Sequence, residues 1–170
     1  MNGMRKFVTS LEKGMSKINE IAGFIAATLI VLLMVLTFAN VTGRYFIWPI
    51  VGTHELTYLS LALIVFLSLG YVQSKKEHIA IGIFVDKCSK RTQAVLDAIS
   101  YFVTFSLLFL MGWQMVVFAG RTSTTLTGDL HLPVSAFVYL CALGAFLYAM
   151  TAIVDFLKSL LKVVNPEHES

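Results

Sequence analysis

Residues 21–43, 56–74, 98–120 and 132–154 contain no Asp, Glu, Lys or Arg. About 20 apolar residues in a helix are needed to cross a hydrocarbon core of roughly 30 Å, and each run meets or nearly meets that length. In lipid, the backbone N–H and C=O groups of a lone segment must be satisfied within that segment, so separate apolar runs imply helices. A membrane barrel would instead show short alternating segments, and these runs do not alternate. The expected fold is an all-α membrane protein, one domain of four transmembrane helices. Composition agrees, with 57% hydrophobic residues, 14% charged residues and a mean hydropathy of +0.79.

The charges between the runs orient the bundle, because Lys and Arg beside a transmembrane end favour the cytoplasmic side. Arg5, Lys6, Lys13 and Lys17 precede the first run. Lys75, Lys76, Lys87, Lys90 and Arg91 lie between the second and third, and Lys158 and Lys162 follow the fourth. The other two gaps hold only Arg44 and Arg121. Both termini are therefore expected in the cytoplasm. A basic rim beside anionic lipid accounts for the net charge of +3 without nucleic acid, for which no motif is present. The first run is much longer than a secretory core and follows twenty polar or amphipathic residues, so it is expected to stay in the mature protein. Cys88 and Cys141, one in a cytoplasmic loop and one within a span, are not read as a disulfide or a metal site.

Before the first run, Met4, Phe7, Val8, Leu11, Met15 and Ile18 recur at helical spacing with basic residues over much of the remainder. Residues 1–20 are accordingly expected to form an amphipathic segment lying at the membrane surface. A second interfacial element is expected between helices 2 and 3. There 79–85 is apolar but too short to span, and it is bracketed by Lys75, Lys76, Glu77 and His78 on one side and Asp86 and Lys87 on the other. Leu132-Pro133 opens the fourth helix, where proline is tolerated because that N–H has no intrahelical partner. Residues 155–170 read as a cytoplasmic tail. The pairs Ala22/Ala26, Gly23/Ala27 and Ala145/Ala149 offer small surfaces for close helix approach.

Ionisable groups at membrane depth are costly and usually functional, and these runs have almost no such group. His54, His78, His131 and His168 all lie in loops or tail, so no pair is placed to ligate a haem from opposing helices. No run carries the buried acidic residue expected of a proton-coupled exporter. A redox-enzyme anchor and a small homodimeric exporter are thus the alternatives to a partner-dependent subunit. Asn40 in helix 1, near Thr37 and Thr42, is expected to bond between helices rather than to a substrate. Gln114 in helix 3 has the same use open to it, across the bundle or to a partner. Arg44 and Glu55 flank a chain reversal containing Tyr45, Phe46 and Trp48, so they either pair near the headgroup level or reach separately to water and lipid phosphate. Arg121 and Asp129 delimit a loop with five hydroxyl residues, which is either a recognition loop or simply solvated.

The order of these motifs resembles the small permease subunit, or DctQ-type component, of tripartite ATP-independent periplasmic (TRAP) transporters. An Asn-x-x-x-Arg-Tyr pattern closing helix 1 is matched by Asn40, Arg44 and Tyr45, and an acidic-Leu pair opening helix 2 by Glu55-Leu56. Many members place a Trp and two acidic residues where this chain has Thr53-His54-Glu55. A basic residue, then His-Ile, then an apolar stretch ending in Asp corresponds to Lys76 through His78-Ile79 to Asp86. A Thr-rich loop ending in an aliphatic-Pro pair corresponds to Thr125 and Leu132-Pro133.

The resemblance covers essentially the whole chain and implies a non-enzymatic subunit of the bacterial inner membrane with no cofactor, metal or substrate site of its own. Its implied partners are a large multi-spanning permease subunit, which carries the sodium and substrate sites, and a periplasmic substrate-binding protein, with membrane lipid around the bundle. Implied cargoes are organic anions such as C4-dicarboxylates or sialic acid. The small subunit is expected to be the stationary scaffold of an elevator. In that scheme Arg44 and Glu55 brace the outer ends of helices 1 and 2, and His78 through Asp86 form the interfacial element. Asn40, Tyr45, Gln114, Arg121, Thr125 and Pro133 serve structure or interface.

Overall fold

A computed structural model of the chain describes residues 2–46, 48, 50–75 and 90–164. Four helices hold nearly all of them: α1 (Asn2–Phe46), α2 (Thr53–Ser74), α3 (Lys90–Arg121) and α4 (Val134–Val164). Each is long and apolar enough to cross a membrane. The expected interfacial element, with His78, Asp86 and Cys88, lies outside the described residues.

Each helix outruns, at one end or both, the uncharged segment that announces it. The 45 residues of α1 extend over about 67 Å, twice what a bilayer core requires. The amphipathic segment is thus helical from Asn2 and continues into the first span without a break. Its inward edge also differs from the expected apolar face. Val8 and Asn19 are buried and Glu12 and Met15 half-buried, followed by buried Ala22 and Ala26, whereas Leu11 and Ile18 are exposed. That edge steps by four and three residues, the spacing of a helix-packing seam. Two polar contacts with α4 select it, an ion pair from Lys158 to Glu12 and a hydrogen bond from Asn19 to Thr151.

The expected tail is likewise helical as far as Val164, and Asp155 and Ser159 within it are buried. Polar residues ended the hydropathic run there, yet they face the bundle.

The helix α4 is the hub. Its largest interface is with α3, it also packs on α2 and α1, and α1 packs on α2. Close approach depends on the small stripe Ala142, Ala145, Ala149 and Ala152, each no more than 2% exposed. At Gly144 an added Cβ would lie 2.8 Å from the Phe66 carbonyl of α2. The pairs Ala22/Ala26 and Ala145/Ala149 are in interfaces as expected, whereas Ala27 faces outward. Between α3 and α4, Leu108, Tyr148 and Ala149 form a small core with Leu69 and Phe105, and Phe109 meets Phe146 edge-on.

Large apolar side chains on α1 and α3 remain outside, including Phe24, Met34 and Phe38 at 69–75% exposure. In lipid such exposure carries no hydrophobic cost, since acyl chains are as apolar as the side chains themselves.

Candidate functional site

Buried polar side chains that bond to other elements form two groups, one toward each end of the bundle. One, the terminal end, carries the start of α1 and the end of α4, and the other carries the α1–α2 and α3–α4 connections.

At the connection end, the reversal after α1 is organised by Asn40. Its Oδ1 accepts the backbone N–H of Ile50 at 2.9 Å, so this buried amide holds a loop rather than bonding to another helix as expected. Two residues on, Gly52 caps α2 with φ 79°, a left-handed conformation that glycine adopts without steric cost. A Cβ there would also stand 2.3 Å from the Leu130 side chain of the α3–α4 connection. The Thr53 hydroxyl then donates to the Ile50 carbonyl at 2.8 Å.

These contacts place the first turn of α2 beneath residues 127–130. The Glu55 carboxylate accepts the N–H of Asp129 on Oε1 at 2.7 Å and that of Leu130 on Oε2 at 3.0 Å. The pairing expected between Glu55 and Arg44 is not found among the described residues. Backbone donors from another connection occupy the carboxylate, because α2 packs on α4 and brings the loop before α4 over its N-terminus. Helix-order packing therefore decides the partner of Glu55.

The α3–α4 connection is itself knotted by hydrogen bonds. Leu126 and Pro133 face each other in a bridge. Thr127 donates its N–H to the Leu132 carbonyl at 2.9 Å and accepts the Leu132 N–H on Oγ1 at 3.0 Å. The Thr125 carbonyl receives the N–H of Val134, and the Pro133 carbonyl that of Ala136. His131 takes a left-handed φ of 53°, closing the turn. Thr127 is buried and Thr122 donates to the Phe118 carbonyl, so part of the hydroxyl set is structural rather than solvated.

Arg44 and Tyr45 are exposed and line a cleft of about 360 Å³ with Thr37, Asn40, Val41, Thr53, His54 and Thr57. Arg121 ends α3 and is exposed, as is Gln114 two turns earlier on the same helix. Gln114 thus makes no bond across the bundle among the described residues. The structure brings Asn40 and Glu55 to one end of the bundle with Thr125 and Pro133, and leaves Gln114 apart from them.

At the terminal end lies a second polar cluster that hydropathy concealed. Asn19 Nδ2 donates to the Thr151 hydroxyl at 2.8 Å, and that hydroxyl donates to the Leu147 carbonyl. Gln73 Nε2 donates to Asp155 Oδ2 at 3.0 Å, while the Tyr148 hydroxyl approaches Gln73 Oε1 at 3.4 Å. All five side chains in these contacts are buried and join α1, α2 and α4. Their signal in the sequence is the α4 stripe Tyr148, Thr151, Asp155 and Ser159, at spacings of three and four residues. Asn19 and Asp155 fall just beyond the uncharged runs, and so read as surface residues.

The Oδ1 atom of Asn19 is buried without a conventional donor among the described residues. It stands 2.6 Å from where a Cβ on Gly70 would be, so the Gly70 Cα–H points at it. A weak Cα–H···O contact meets part of its demand.

One cluster ties the connections to the helix ends and the other ties α1, α2 and α4 to one another, which is the chemistry of holding helices in place. The family model of the DctQ component of tripartite ATP-independent periplasmic transporters matches residues 33–162. No curated protein and no solved structure gave a significant match. The match spans most of the chain and takes in Asn40, Arg44, Glu55 and the polar stripe of α4; the protein belongs to the DctQ component family of TRAP transporters.

Proposed function

We propose that this chain is the non-catalytic, stationary scaffold of a TRAP transporter. It supports a large sodium-coupled elevator subunit in the uptake of an organic anion, of the C4-dicarboxylate or sialic acid kind, delivered by a periplasmic binding protein. The observation that carries this reading is the division of labour over the bundle surface. Asn19, Asn40, Glu55 and Gln73 are used inward, to tie helices and connections together. Outward, α1 and α3 offer long apolar faces suited to lipid and to partner helices.

Basic residues at the terminal end favour a cytoplasmic position for both termini in the inner membrane. The connection end then faces the periplasm, where the loops containing Trp48 and residues 122–131 are placed to approach the binding protein. Two measurements test this reading. Affinity purification of the large subunit from co-expressing cells recovers this chain in fixed ratio. A single cysteine replacing Thr125, in a variant lacking Cys88 and Cys141, is labelled by an impermeant maleimide from the periplasm. Loss of the chain during purification, or labelling only after the inner membrane is opened, contradicts it.

A further inference from the structure

Gln114 differs from the other amides of the bundle. Asn19, Asn40 and Gln73 are buried and bonded, whereas Gln114 is exposed and has no hydrogen-bond partner among the described residues. It lies seven residues before Arg121, about 10 Å inward from the end of α3. At 100° per residue it is turned roughly 150° from the Ala98, Leu108, Gly112 and Ala119 stripe, whose Gly112 contacts Phe146 of α4. Among the described residues, no group on α4 bonds to it.

The helix face around Gln114 is apolar and exposed. Val103, Leu107, Leu110 and Gln114 follow one another at spacings of four, three and four residues, and the first three are 49–63% exposed. This is the a/d pattern by which one helix receives another, with a single polar side chain at a core position, a device that fixes register and partner. Acyl chains offer an amide neither donor nor acceptor, so lipid alone leaves Gln114 unsatisfied. The exposed face of α1 makes no such demand at Phe24, Ile25, Val31, Met34 and Val35, and Thr28 there donates to its own helix.

We infer that the Val103–Leu107–Leu110–Gln114 face of α3 is the docking surface for a transmembrane helix of the large permease subunit. That helix presents a hydrogen-bonding side chain or an exposed carbonyl about 10 Å from the connection end of the bundle. The inference rests on the scaffold reading and locates its interface. A heteromeric partner is favoured over a second copy because the family is one component of a tripartite system.

The test uses the chain co-expressed with the tagged large subunit, carrying a genetically encoded benzophenone amino acid at position 110 or 114. Irradiation is expected to yield a covalent adduct with the large subunit at both positions. Gln114→Leu is expected to weaken association about three- to tenfold while leaving the melting temperature of the isolated chain unchanged or higher. Adducts only with lipid, or only with a second copy of this chain, overturn the inference although the unmodified chain still co-purifies. Failure of the unmodified chain to co-purify overturns the scaffold reading, and this one with it.

Discussion

Asn19 donates to the Thr151 hydroxyl at 2.8 Å, and this bond, with the Lys158–Glu12 ion pair, sets α1 on α4, with Asn19 lying against Gly70 of α2. Asn19 is fully buried, so truncation removes the bond and leaves a void. Asn19→Ala is expected to lower stability by about 1–3 kcal/mol, read from unfolding in mixed micelles. Gly70→Ala drives a methyl group against Oδ1 and is expected to cost a similar amount. A neutral result for both substitutions contradicts this role for the contact.

Glu55 acts through the backbone donors of Asp129 and Leu130. Glu55→Gln keeps one carboxylate-like acceptor and replaces the other with a donor, so one of the two N–H groups loses its partner. Hydrogen exchange at these two amides is expected to accelerate by about tenfold or more in the variant. Arg44→Gln is expected to leave the same amides unchanged, and the effects of the two substitutions to add. Non-additive behaviour would restore the Arg44–Glu55 brace that the geometry replaces.

Gly144 and Gly14 predict opposite signs for the same substitution. A methyl at Gly144 meets the Phe66 carbonyl at 2.8 Å, and rigid backbone cannot move aside as a side chain can. Gly144→Ala is expected to destabilise by about 1–3 kcal/mol through separation of α2 from α4. A methyl at Gly14 meets nothing within 4 Å, so Gly14→Ala is expected to stabilise α1 by up to about 1 kcal/mol through helix propensity. Chemical unfolding of the two variants side by side checks the pair.

The Gln73–Asp155 bond distinguishes an acceptor from a charge. Asp155→Asn can keep an oxygen facing Gln73 Nε2 and is expected to fold with stability close to the parent, whereas Asp155→Ala leaves that buried amide without its acceptor. A loss of about 1–3 kcal/mol is expected for the alanine variant, measured in the same micelles. Equal losses for Asn and Ala would show that the charge itself matters.

Uncharged length revealed the four spans because lipid excludes charge from any segment that crosses it. Their ends were less legible. Asn19 lies before the first run and Asp155 after the fourth, and hydropathy assigns both to water although each faces a neighbouring helix. The Val8, Glu12, Met15, Asn19 seam was obscured because it mixes polar and apolar residues, while Leu11 and Ile18 suggested a different face. Glu55 could be picked out as a charge at the start of α2, but its partners could not. They depend on which helices adjoin, and a pattern along one strand of sequence carries no record of neighbour order. Gln114 was legible as an amide within a span, and its outward direction required the position of α4.

A stationary scaffold supports transport without performing it. The most direct measurement is sodium-driven uptake of labelled sialic acid and C4-dicarboxylates into proteoliposomes, with the cognate binding protein outside. Vesicles with both membrane subunits are expected to accumulate the cognate anion, and vesicles with this chain alone to show only the background of empty liposomes. Uptake by this chain alone, or an undiminished rate from the large subunit without it, would contradict the account.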